Sequence, residues 1–195
     1  MQLLKELYEA VNDLWDHGTV QQEFDSGETS LNQTPSTFKV VDSLHGWVSG
    51  SVNADIGGGK AFKVDDIDMH KFTESLRSRG VINVVYDPYN RTSSHNVEAI
   101  EKIKDGQSDT TTVNNVLNVI KEPEIRQKVI SQAFNALKPG GTSYFLIYEG
   151  NRTGGGKATG KGRWQNNMTT VHYMPEVSHF YRHVTKKGNL IIAKK

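Results

Sequence analysis

The apolar positions of this 195-residue chain change period along its length, and each change marks an element. Residues 3–15 place Leu3, Leu4, Leu7, Val11, Leu14 and Trp15 on one helical face, to be buried against the chain's own sheet or against a second copy. Residues 16–34 are polar and turn-rich, and they read as a loop. From Pro35 a second helix carries Phe38, Val41 and Leu44 and stops before Gly46-Trp47. A short apolar stretch, 51–56, then runs into Gly57-Gly58-Gly59, as a buried strand does when it hands over to a tight turn. Residues 64–80 read as the helix after that strand, with Asp65, Asp66 and Asp68 at the end the helix dipole favours and Gly80 as its stop. Residues 81–87 are nearly all apolar, as burial on both faces requires, and end in Asp87.

The second half continues the alternation. Residues 96–103 form a short helix, and 110–115 a β-branched strand that ends in the polar pair Asn114-Asn115 before an apolar turn at 116–120. Pro123 opens a helix through Ile125, Val129, Ile130, Ala133, Phe134 and Leu137, which Lys138-Pro139-Gly140-Gly141 ends before a strand at 142–148. Beyond a glycine-rich stretch, a helix begun by Pro175 runs to Lys186-Lys187-Gly188, and 189–193 is the last strand. Strands alternating with helices predict one α/β domain over residues 1–195, a largely parallel sheet of about five strands with helices on both faces. The expected order is 81–86, 52–56, 110–115, 142–148, then 189–193 at the edge.

Composition narrows the chemistry. Without cysteine there is no disulfide framework, no thiolate metal site and no cysteine nucleophile. No apolar run approaches the roughly 18 residues of a membrane span, and the first six residues lack the order of a signal peptide, so the expectation is a cytoplasmic protein with no membrane partner. The net charge of +1 hides an asymmetry: residues 1–149 hold 14 Lys and Arg against 21 Asp and Glu, net −7, and residues 150–195 hold 9 against 1, net +8. A basic end of that strength faces an acidic partner or solvent. Oligomeric state is not legible.

Two candidate motifs fail on inspection. Gly57-Gly58-Gly59-Lys60-Ala61-Phe62 does not give the Gly-x-Gly-x-x-Gly of a dinucleotide site, because Phe62 is too large for the third position. The run from Gly155 to Gly160-Lys161 approaches a P-loop, but Gly162 stands where a hydroxyl must hold magnesium. His179 and His183, four apart on the expected helix, and His172 lack an acidic companion, so no metal site is expected. What remains is a glycine turn at 57–59 that lets a small molecule approach main-chain N–H groups beside Asp55, and an acid, Asp87, able to accept from two adjacent hydroxyls.

In that setting Asp55-Ile56-Gly57-Gly58-Gly59 resembles motif I of class I S-adenosylmethionine (SAM) dependent methyltransferases. Asp87 stands where that family binds the ribose hydroxyls of SAM, Asn114-Asn115 resembles motif IV, and helix, Leu-Lys-Pro-Gly-Gly, then strand is a frequent spelling before strand five. The resemblance covers residues 51–148 and implies a reduced Rossmann-like methyltransferase sheet. It also implies SAM as cofactor, held by Asp55, Gly57, Gly58, Gly59, Asp87, Asn114 and Asn115. Asp87-Pro88-Tyr89 is similar to the Asp-Pro-Pro-Tyr of amino-group DNA methyltransferases, but it lacks the second proline and follows the wrong strand. The segments Asn-Val-Leu-Asn-Val-Ile and Gly-Arg-Trp-Gln are similar to uncharacterised methyltransferase-like proteins of phages and DNA-modification gene clusters, which implies a host cytoplasm.

The expected activity is methyl transfer to an amine or oxygen of a nucleic acid or another phosphate-bearing acceptor. Glu149, after strand five, is the expected base or substrate orienter. Arg152, Lys157, Lys161, Arg163, Trp164 and Gln165 are the expected acceptor contacts, the cations on phosphate and the indole on a base. No target-specific motif is present, so the competing expectation is a methyltransferase-fold protein that has lost its chemistry and serves in binding or structure.

Overall fold

The structure, a computed structural model, describes residues 14, 15, 23, 24, 27, 32–65, 67–160 and 162–195. The expected helix at 3–15 therefore lies outside the described residues, apart from its last two positions. Of these, Trp15 is buried edge-on against Tyr86.

Six strands form the central sheet: β1 (Val52–Ile56), β4 (Ile82–Tyr86), β5 (Ser108–Asn114), β6 (Leu137–Leu146), β9 (His183–Lys187) and β10 (Leu190–Lys194), in the order β4-β1-β5-β6-β10-β9. The first four are mutually parallel, and β10 and β9 are antiparallel additions. Two short hairpins stand apart from the sheet, β2 (Phe62–Val64) with β3 (Ile67–Met69) and β7 (Lys157–Gly160) with β8 (Arg163–Gln165). The expected order of five strands is present, with β9 added at one edge.

Period-2 alternation puts the two sides of each central strand into different cores. Tyr144, Leu146 and Leu190 point to one face, under α1 (Thr37–Ser43) and α2 (Lys71–Arg77), where they meet Val41, Trp47, Phe72 and Leu76. Phe145, Ile147, Ile191 and Ala193 point to the other, under α3 (Ser93–Ile103), α4 (Pro123–Ala136) and α5 (Thr170–Ser178), where they meet Ile103, Ile130, Tyr173 and Val177. Each such fully buried side chain contributes about 1.5–3 kcal/mol.

Four expected elements are corrected. Residues 64–80 are not one helix: the β2–β3 hairpin turns at Asp65, where φ is 49°, and α2 starts only at Lys71. Val64 and Ile67, spaced as if on a helical face, are exposed on that hairpin, Ile67 by 64%. The helix expected from Pro175 to Lys187 is instead α5, with Pro175 inside it, followed by β9. Gly188, at φ 61°, then makes with Asn189 the two-residue turn that pairs Lys187 with Leu190. The strand at 81–87 is an edge, not a doubly buried strand, and Ile82 is 59% exposed. β6 begins at Leu137, earlier than expected, and its register on β5 jumps across 138–141. No helix among the described residues is long and apolar enough to cross a membrane.

Candidate functional site

The carboxyl ends of β1, β4, β5 and β6 open on a cavity of about 750 Å³. It lies where connections diverge to either side of β1, the position at which open α/β sheets bind ligands, and its size is that of a small-molecule site. One side is built from the turn after β1 and the turn after β4, the other from the ends of β5 and β6 and the β7–β8 hairpin.

Asp55 sits at the base of the first side, 1% exposed. Its Oδ1 accepts from the Thr112 hydroxyl at 2.8 Å and from the Asn114 amide at 3.4 Å, and Asn114 in turn accepts from Thr37 at 2.6 Å. Its Oδ2 is buried with no hydrogen-bond partner. Burial pushes the Asp55 carboxyl above its ordinary range, against the opposing pull of nearby His70 and of the Thr112 hydrogen bond. Beneath it a ladder of buried polar side chains crosses three strands: Thr110 donates to Asn53, and the Asn53 amide bonds Thr112 and Asn83.

The glycine turn serves by being small. A Cβ on Gly58 would collide with Asp55 Oδ2 and stand 2.8 Å from Val85 Cγ1, and one on Gly57, where φ is 71°, would stand 2.6 Å from Val116. Its N–H groups, expected to face a ligand, are already used. Gly57 and Gly58 donate to the Tyr86 carbonyl at 2.7 and 3.4 Å, and Gly59 donates to Asp87 Oδ2 at 2.8 Å. The turn is therefore closely packed, with all three of its N–H groups already bonded.

Asp87 lines the cavity, but its own loop occupies its acceptor positions. Oδ1 receives the backbone N–H groups of Tyr89 and Asn90, both at 2.9 Å, and Oδ2 receives Gly59 and the Asn90 amide, the latter at 3.1 Å. A carboxylate has about four such positions. Arg91 closes the same clamp, with Nε donating to the Gly59 carbonyl at 2.8 Å.

Sequence reasoning missed His70. Its Nε2 lies 2.8 Å from the Gly58 carbonyl, which can only accept, so Nε2 carries a proton, and Nδ1 lies 2.8 Å from the Thr73 hydroxyl. In the sequence the histidine is legible only as part of a helix that does not form there.

On the second side, Asn115 holds a left-handed backbone, φ 56°, and its N–H bonds Leu146 at 2.8 Å, across the ends of β5 and β6. Asn118, Gln165 and Asn166 fasten the β7–β8 hairpin over the turn after β5. The Asn118 amide donates to Gln165 at 3.3 Å, and the Asn166 amide donates to the carbonyls of Leu117 and Ile120 at 3.1 and 2.8 Å. Trp164 packs on Phe24 with ring centres 5.1 Å apart, under the Lys121 ammonium, and its indole N–H donates to Asn166 at 2.7 Å.

Of the expected acceptor contacts, Lys157, Trp164 and Gln165 line the cavity, Arg152 and Arg163 are not among its lining residues, and Lys161 lies outside the described residues. Nor does Glu149 line it. Glu149 Oε1 accepts the N–H and hydroxyl of Thr170, both at 2.7 Å, at the start of α5, and Oε2 pairs with Arg152 at 2.7 Å. The Thr170 hydrogen bonds, then Arg152, hold its carboxyl below the ordinary glutamate range. His183 lies on β9, not on a helix with His179, and no cluster of three His, Asp or Glu among the described residues could hold a metal ion.

No protein-family model matches this chain, and no curated protein is similar to it in sequence. The narrower resemblance to phage and DNA-modification proteins thus finds no support. Solved structures are similar in fold. The 1,6-didemethyltoxoflavin N1-methyltransferase of Burkholderia thailandensis, bound to 1,6-didemethyltoxoflavin and S-adenosylhomocysteine, has a TM-score of 0.57 at 13% identity, over 81% of this chain and 76% of that one. A SAM-dependent methyltransferase of Methanosarcina mazei reaches 0.53 at 16% identity, over 78% and 96%. Another, from Mesorhizobium loti, reaches 0.52 at 12% identity, over 80% and 96%. The chain therefore has the Rossmann-like α/β fold of class I SAM-dependent methyltransferases.

Proposed function

We propose that this protein transfers a methyl group from SAM to an amine or oxygen of a nucleic acid or another phosphate-bearing acceptor. One observation carries the cofactor: at the base of the cavity, beside a turn whose backbone leaves no room for a Cβ at Gly57 or Gly58, a buried carboxylate oxygen, Asp55 Oδ2, has no partner. An unpaired buried anion is costly, and a cationic ligand relieves that cost. The same residues fit SAM, which is positively charged and supplies, when bound, a sulfonium methyl open to in-line attack.

Asp55 would hold the cofactor's cationic part, with the turn at Gly57, Gly58 and Gly59 lining the cavity beside it. Asn114 keeps Asp55 aimed, and Asn115 stands at the boundary between the two sides of the cavity. Asp87 serves a ribose hydroxyl by giving up the Asn90 side chain, the one of its four contacts that is not a backbone N–H. The chain would act by positioning and by excluding water. Lys157, which lines the cavity, supplies a cation for a phosphate-bearing acceptor. Glu149 supports the site by fixing the start of α5.

Calorimetric titration with SAM, followed by incubation of labelled SAM with DNA, RNA and cell extract, tests the reading. Saturable binding and label in an acceptor are expected; absence of any SAM binding would overturn it.

A further inference from the structure

The charges that line the cavity are segregated. Its acids, Asp55 and Asp87, stand at the ends of β1 and β4; its lysines are Lys128 on α4 and Lys157 on the β7–β8 hairpin. Between these poles, along the ends of β5 and β6, most polar side chains are spent on the protein itself. Asn118 receives the Tyr148 N–H and donates to Gln165, Gln165 donates to the Tyr148 carbonyl, and Asn167 donates to Gly155.

Others are not, there and on the hairpin: among the described residues, the Asn115 side-chain amide, the Tyr148 hydroxyl and the Lys157 ammonium have no hydrogen-bond partner, and all three residues line the cavity. Tyr148 is 59% exposed, yet its main chain is tied on both sides, by Asn118 at 3.4 Å and by Gln165 at 3.2 Å. A large ring held at its root and left open to the cavity is positioned for a partner rather than for the core. Trp164 is the opposite case, its ring fixed against Phe24 and Asn166 as a wall.

We infer that Asn115, Tyr148 and Lys157 form the acceptor subsite, and that the acceptor is a planar heteroaromatic ring carrying a negative charge, on the ring itself or on an attached phosphate. The inference rests on the methyltransferase reading for what is done to the ring, and not for the ring's binding. An amide presents a donor and an acceptor side by side, which matches the edge of a heteroaromatic ring. A tyrosine ring offers a π-face on which such a ring stacks. The lysine supplies a charge-assisted bond to the anion, while the acids opposite repel that anion from the cofactor side. In the transfer, a ring nitrogen or oxygen attacks the methyl carbon and the new N–C or O–C bond forms as the S–C bond breaks. The S–C electron pair returns to sulfur as a neutral thioether, and any proton on the attacking atom passes to water.

The test uses the full chain, with and without saturating S-adenosylhomocysteine. The calorimetric probes are the 5′-monophosphates of guanosine, adenosine, cytidine and uridine, the matching nucleosides, ribose 5-phosphate, and a 12-nucleotide single-stranded DNA. At least one nucleotide is expected to bind, at least tenfold more tightly than its nucleoside or ribose 5-phosphate. Lys157→Ala should abolish the advantage of nucleotide over nucleoside. Tyr148→Ala should weaken the nucleotide about tenfold, with S-adenosylhomocysteine affinity within twofold of wild type in both variants. If the oligonucleotide binds at least as tightly and with the same dependence on both residues, the ring belongs to a polymer; if only the mononucleotide does, it belongs to a small molecule. Failure of every nucleotide, or nucleotide affinity that both variants leave intact, would overturn the subsite. S-adenosylhomocysteine binding that persists in that case would leave the methyltransferase reading standing. Nucleotide binding without S-adenosylhomocysteine binding would overturn that reading and leave the subsite.

Discussion

The chain contains two runs of three glycines, and the fold uses them in opposite ways. At 57–59 the glycines are packed: Gly57 against Val116, Gly58 against Asp55 and Val85, and Gly59 clamped by Asp87 and Arg91. At 154–156 the first two have no atom within 4 Å of the point where a Cβ would stand, and only Gly156 meets a neighbour, the edge of Trp164. The first run is where backbone must pass close to other atoms, and the second is where chain must reach across the cavity mouth. Identical residues thus solve a packing problem in one place and a connection problem in the other.

The sharpest way to break that comparison is Gly58→Ala. Its φ is not in the left-handed region, so the cost is steric, against a buried carboxylate and a valine with little freedom to move. Overpacking of this kind costs about 1–3 kcal/mol, and where it displaces the Asp55 carboxylate that is about 5- to 150-fold in binding. Calorimetry with SAM should show a loss in that range, and wild-type affinity would mean that Asp55 does not hold the ligand. Gly156→Ala should come next in size. An added methyl stands 2.6 Å from Trp164 Cε2 in a ring held by Phe24 and Asn166, so a stability loss of about 1–2 kcal/mol is expected in chemical denaturation. SAM affinity should be unchanged, because the two glycine runs belong to different sides of the cavity.

A smaller effect distinguishes two carboxylates, one near the end of β1 and one after β6. Asp55 is raised by burial and Glu149 is lowered by its hydrogen bonds to Thr170 and its pairing with Arg152. A carboxyl whose folded pKa lies below its ordinary 4.5 adds stability above that pH and loses it as pH falls through the folded value. Glu149→Gln should therefore flatten the acid limb of a stability-versus-pH curve below pH 4.5 and lower neutral-pH stability by up to about 1 kcal/mol, the worth of a helix cap. A catalytic base would instead move the pH profile of turnover with stability untouched.

These contrasts show what the sequence can and cannot reveal. The central strands are legible because short apolar or β-branched runs and the acids, amides and glycines at their ends are local signals. The β2–β3 hairpin is not, because Val64 and Ile67 are spaced as on a helix, while Asp65 is left-handed at the turn. Nor is β9: Pro175 reads as a helix start, although it lies mid-helix, and Gly188-Asn189 reads as a stop instead of a hairpin turn. At the site, position is readable and occupancy is not. Glu149 lies at the expected strand end but is claimed by Thr170, 21 residues later, and Asp87 by a loop and by Gly59, 28 residues earlier. His70 and Tyr148 acquire their roles only through contacts with Gly58, Asn118 and Gln165 that no local pattern announces.

The smallest effect is the most exacting for the comparison. Gly155 has no atom within 4 Å of a Cβ position and is not among the glycines with positive φ. Alanine fits there without strain in the fold and restricts the unfolded chain, so Gly155→Ala should be neutral or stabilise the protein by about 0.4–1 kcal/mol. Its neighbour Gly154, at φ 80°, is equally open in space but left-handed in backbone, so the same change there should destabilise by about 1–2 kcal/mol. Urea denaturation of the two variants separates space from backbone conformation within one glycine run. If Gly155→Ala destabilised as much as Gly154→Ala, the 154–156 run would be gripped as closely as 57–59, and the contrast between packing and reach would fall.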